Sequence, residues 1–123
     1  MTREEFEKTV QEAFDSLPER FRSSVENVRV IVEGRDSPRT RERIGVRSGS
    51  MLLGLYEGIP LTRRGSHYGV APTVPDSITL YQRNIEAVAH SQQEITHLVR
   101  DVLIHELGHY FGMTEEEIRR AGY

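Results

Sequence analysis

A chain of 123 residues can bury one hydrophobic core but leaves too little for a second, so residues 1–123 read as a single domain. A net charge of −3 gives no general attraction to nucleic acid or to an anionic membrane. Without cysteine there are no disulfides and no Cys-ligated zinc. The N-terminus is charged, and no apolar run approaches the roughly 20 residues needed to span a bilayer, so the expectation is a cytoplasmic protein with no membrane partner.

Taken in chain order, Thr2-Arg3-Glu4-Glu5 has the form of a capping box. Phe6, Val10, Ala13, Phe14 and Leu17 then recur at helical spacing until Pro18, which predicts an N-terminal helix. Residues 25–32 are β-rich, with Val28, Val30 and Val32 alternating against Arg29 and Ile31, and Gly34 closes the predicted strand. Residues 35–50 are polar, carry Pro38, Gly45 and Gly49, and read as a long loop. A second strand is predicted over residues 51–56, interrupted by Gly54, and a third over residues 77–82, with an irregular stretch from 63 to about 75 between them.

The long loop concentrates Arg35, Arg39, Arg41, Arg43 and Arg47 against Asp36 and Glu42. Such a cluster either docks an acidic peptide or nucleic acid, or is a solvated loop. The lack of interleaved aromatics favours the solvated loop, and nucleic acid is not the expected partner.

Residues 94–111 hold no proline, and no glycine except Gly108. Ile95, Leu98, Val99, Val102, Leu103, Ile104 and Leu107 surround this segment on nearly all sides, as in a helix buried within a domain. Ser91 and Glu94 form a capping box ahead of it. The helix carries His105-Glu106-Leu107-Gly108-His109. Residues four apart share a helix face, so both imidazoles can address one ion, and Glu106 projects beside them as a candidate general base. Zinc held by two histidines and a third protein ligand keeps one position open, where the pKa of water falls to about 7. This equipment suits hydrolysis of a peptide bond, and burying two histidines and a glutamate without a partner would be costly.

After His109, Gly112 suits a left-handed helix cap that turns the chain back. The third position after Gly112 is Glu115, where metzincins place a third histidine; Glu116 or a water is the alternative ligand. Thr114-Glu115-Glu116-Glu117 is also a capping box, which would place acids there with or without a metal. Candidate oxyanion donors are Tyr81, Tyr56, Tyr110 and His67. Asp101 lies one turn before His105 and either orients its ring or is exposed beside Arg100 and His97. His97 is two turns away and too far to reach the same ion, and His67 and His90 fall in irregular segments.

The run His105-Glu106-Leu107-Gly108-His109-Tyr110-Phe111-Gly112-Met113-Thr114-Glu115 resembles the small bacterial minimal zincin family, whose members carry H-E-x-x-H-x-x-G-x-x-D/E near the C-terminus. Residues 52–61 and 75–82 are also similar to that family's, as is the Leu17-Pro18 helix end, so the resemblance spans most of the chain outside residues 35–50. It implies a compact α+β zincin core, one zinc per chain on His105, His109 and Glu115, and Glu106 as general base. This chain has Glu115 where Asp is commoner, one methylene longer.

The expected molecule is therefore a zinc metallopeptidase of α+β class. It has an N-terminal helix, a small three-stranded sheet with long loops, a buried active-site helix and a short C-terminal helix. A peptide or protein is the substrate, its identity and the oligomeric state being open. The alternative is a zinc-binding protein that does not hydrolyse, its site holding the fold or docking a partner, and a 123-residue chain offers few walls for a cleft. A third reading makes the arginine loop itself the functional surface.

Overall fold

The computed structural model describes residues 1–24, 28–45, 51–58 and 76–122. His67, Arg47 and the expected irregular stretch over residues 63–75 lie outside these. Helix α1 (Arg3–Asp15) starts as its sequence requires: the Thr2 hydroxyl accepts the Glu5 N–H and the Glu5 carboxylate accepts the Thr2 N–H. Its buried stripe of Phe6, Val10 and Ala13 packs on helix α5 (Gln92–Tyr110). Two short helices, α2 (Glu19–Ser24) and α3 (Pro38–Ile44), flank strand β1 (Val28–Glu33). Strands β2 (Gly54–Glu57) and β3 (Asp76–Tyr81) follow, then α4 (Gln82–Val88), α5 and α6 (Glu115–Arg120).

The sheet order is β1-β3-β2, with β3 parallel to β1 and antiparallel to β2. Register pairs Val28 with Asp76 and Gly54 with Leu80. The central strand is the most buried, and Ile78 and Leu80 meet Phe6, Val99, Leu103 and Leu107 in one core. Because β3 is paired on both sides, it offers no free edge for an extended ligand; among the described residues β2 is an edge strand.

The α+β architecture agrees with expectation, and the local differences have local causes. Residues 38–44, expected within a loop, form α3: Ser37 caps it by accepting the Thr40 N–H at 3.1 Å, Pro38 occupies the first turn, and Gly45 closes it at φ 76°. Arg41 pairs with Asp36 at 2.7 Å and Arg43 with Glu57 at 2.9 Å, so part of the arginine cluster is tied into the fold. Strand β2 begins at Gly54 rather than at 51. Ser91 caps α5 as expected, but the Glu94 carboxylate accepts the N–H of His90 rather than that of Ser91.

Candidate metal centre

The last turn of α5 sets the geometry of the site. Gly112, at φ 82°, lets the chain reverse; its N–H donates to the His109 carbonyl and the Met113 N–H to the Gly108 carbonyl, each at 2.9 Å, the two bonds of a Schellman cap. The chain then re-enters a helix at Thr114, whose hydroxyl accepts the Glu117 N–H while the Glu117 carboxylate accepts the Thr114 N–H. Helix α6 is drawn against α5 by buried Ile118, which sits over Gly108: a Cβ there would lie 2.7 Å from both Ile118 Cδ1 and Cγ1. Glycine at 108 thus permits the close approach of the two helices.

That approach brings Glu115 under the histidines. Its Oε1 lies 2.9 Å from His105 Nε2 and 3.0 Å from His109 Nε2. Glu117 is occupied by the cap and Glu116 pairs with Arg120, so each of the three successive acids has a different partner. Burial raises the Glu115 pKa, but the hydrogen bond from His105 and the charges of His105 and His109 outweigh it and hold the carboxyl below its ordinary value. The three ligand atoms all lie within 4.8 Å of one another, a group that could hold a metal ion. Ligands at about 2.0–2.2 Å from a tetrahedral zinc are roughly 3.4 Å apart. The two His–Glu separations need widen only by a few tenths of an ångström to admit one, and two imidazole nitrogens with a carboxylate oxygen suit zinc.

Glu106 is not among these three candidate ligands. It is only 7% exposed and faces β2, where its Oε1 accepts the backbone N–H of Tyr56 at 3.1 Å. Burial raises its pKa, against the pull of His109, His105 and the Tyr56 N–H. Strand β2 comes this near because residue 54 has no side chain: a Cβ on Gly54 would lie 2.5 Å from Val102 Cγ1 and 3.4 Å from Glu106 Cγ.

A cleft of about 900 Å³ opens between β2, α5 and the α5–α6 turn, lined by His105, Glu106, His109 and Glu115. Asp101 also lines it, exposed, and makes no hydrogen bond to His105 among the described residues. The tyrosines named as oxyanion donors are dispersed. Tyr81 is buried away from the cleft lining, its phenol pushed up to about 12 by burial and then by Glu33, Asp36 and Glu57. Tyr56 lines the cleft, but its hydroxyl donates to Asp76 Oδ2 at 2.8 Å. Tyr110 is fully buried, edge-on to the Tyr56 ring at 6.1 Å. Sequence reasoning missed the Tyr56 N–H and the roles of Gly54 and Gly108. A glycine interrupting a strand pattern was the available signal for the first close approach.

Residues 25–123 match the family described as "Zincin-like metallopeptidase". No curated protein matches. Among solved structures, a conserved hypothetical protein from Thermo thermophilus is similar at 24% identity over 98% of each chain, with a TM-score of 0.59, a likeness of fold alone. Among the described residues no helix is long and apolar enough to cross a membrane.

Proposed function

The chain belongs to the zincin-like metallopeptidase family, and on that premise we propose that it is a zinc-dependent peptidase. The observation that carries this reading is the convergence of Glu115 Oε1 on both imidazole Nε2 atoms beside a buried glutamate, at the floor of an open cleft. His105, His109 and Glu115 would hold one zinc. When bound, zinc supplies Lewis acidity, polarising the scissile carbonyl and making water a competent nucleophile near neutral pH.

The remaining work falls to the chain itself. Glu106 takes the proton from the attacking water and passes it to the leaving amine. The Tyr56 N–H fixes one of its oxygens, and the residue lines the cleft together with His105, His109 and Glu115. An extended peptide can pair with the edge of β2, which borders the cleft, while the apolar side chains of Leu52, Leu53 and Val102 exclude water beside the reacting bond.

Elemental mass spectrometry on wild type and His109→Ala, purified without chelators, tests the metal. About one zinc per chain in wild type and almost none in the variant is expected, and absence of stoichiometric metal in wild type after zinc is added back would sink the reading. Cleavage of a peptide library by zinc-loaded wild type and Glu106→Gln then separates hydrolysis from a purely structural ion. Catalysis falls by orders of magnitude in the variant, with zinc retained, if Glu106 is the base.

A further inference from the structure

Taking the peptidase reading as its basis, we propose that Asp101 selects peptides carrying a lysine or arginine within about two residues of the scissile bond. Asp101 stands on α5 one turn before His105, about 6 Å along the axis. A peptide in extended form covers that rise in about two residues at 3.2–3.4 Å each. Its carboxylate is exposed and lines the cleft.

The other cleft carboxylates are engaged: Glu115 faces the two imidazoles, and Glu106 accepts the Tyr56 N–H. Asp101, by contrast, has no hydrogen bond or ion pair among the described residues, even to His97, which shares a shallow hollow with it. The described lining of the cleft includes no lysine or arginine. A divalent ion balanced by Glu115 and Glu106 therefore leaves Asp101, among the described residues of the cleft, as the uncompensated charge. Beside it, Leu52, Leu53 and Val102 form an apolar wall. A lysine or arginine side chain fits both, its methylene stem along the wall and its charged head at the carboxylate.

The test uses the zinc-loaded full chain with a combinatorial library of equal-length peptides, cleavage sites being mapped by mass spectrometry for wild type, Asp101→Asn and Asp101→Lys. Zinc stoichiometry is measured on each. Wild type should enrich Lys and Arg within two residues of the cut. Asp101→Asn should lose roughly fivefold of the kcat/KM preference for an arginine peptide over its norleucine twin, mainly through KM. Asp101→Lys should turn the preference toward Asp and Glu. Cleavage with the same preference in all three proteins overturns the role of Asp101 and leaves the peptidase reading standing. If no form cleaves any peptide, the peptidase reading fails, and fluorescence anisotropy of the labelled arginine and norleucine peptides on Glu106→Gln and on Asp101→Asn/Glu106→Gln decides. Tighter, salt-sensitive binding of the arginine peptide that is lost with Asp101→Asn sustains the selection, and equal binding overturns it.

Discussion

Gly108→Ala places one methyl group between α5 and α6. The new Cβ would lie 2.7 Å from Ile118 Cδ1 and Cγ1, whereas non-bonded carbons rest at about 3.5–4.0 Å. Helix α6 must therefore recede by roughly 1 Å, since Ile118 is 1% exposed and has little room to turn away. Replacing glycine by alanine in a helix favours the helix by up to about 1 kcal/mol, and overpacking costs about 1–3 kcal/mol. The net is a loss of up to about 2 kcal/mol, at roughly 4 °C in Tm per kcal/mol for a domain of this size. The larger effect falls on the site. Glu115 is carried by α6, one turn before Ile118, and a retreat of roughly 1 Å far exceeds the ±0.2 Å tolerated in metal–ligand distances. Zinc affinity should drop by about 10–100-fold, as it does when groups supporting a ligand are removed. Competition against a chromophoric chelator measures affinity, and thermal unfolding of the metal-free protein measures the packing cost separately. Ile118→Ala leaves only a Cβ, 3.9 Å from the new methyl, so the double variant should recover zinc affinity relative to Gly108→Ala. Wild-type zinc affinity in Gly108→Ala would refute the claim that this contact positions Glu115.

Three further outcomes are expected. Glu115→Gln should lose most bound zinc, whereas Glu116→Gln, which removes only an exposed partner of Arg120, should retain it; metal analysis of both checks which acid is the ligand. Asp36 is desolvated by burial, yet the hydrogen bonds from Arg41 and Asn84 prevail and lower its pKa below the ordinary 3.8. Its stabilising effect is therefore fully present above about pH 4 and fades as pH falls through the lower folded value. In denaturant titrations Asp36→Asn should be the less stable protein at pH 6, with the gap narrowing toward pH 3. Burial raises the Tyr81 phenol to about 12, so its contribution is complete below about pH 10 and lost as pH climbs toward 12. Ultraviolet titration should show a late-ionising tyrosine component that is absent from Tyr81→Phe.

The elements legible in the sequence are those whose period or cap repeats a physical constraint. Helix α5 was readable from its apolar spacing and Ser91, and α1 and α6 from their capping boxes. Helices α2, α3 and α4 are too short for a period to emerge. In α3 the signals of Ser37, Pro38 and Gly45 also serve as turn signals. Helix α4 follows β3 directly, and its N-cap residue Tyr81 makes no side-chain capping bond, so nothing local marks its start. His105, Glu106 and His109 could be singled out because one helix turn relates them. The choice between Glu115 and Glu116 rests on which way α6 presents its first turn. That in turn depends on the Ile118–Gly108 contact, a tertiary fact. The Tyr56 N–H on Glu106 joins positions 50 residues apart and left no trace in local spacing.

The candidate ligands all fall between positions 105 and 115, from the last turns of α5 to the first residue of α6, whereas β1 and β3 pair residues as distant as Val28 and Asp76. Closing so short a loop around an ion costs little chain entropy, and it ties down the C-terminal end without bridging the long-range pairing of the sheet. Occupancy and folding are thus largely separable. Withdrawing the ion should open α6 to hydrogen exchange while the amides of β3 stay protected, and the protein should lose its chemistry well before it loses its shape.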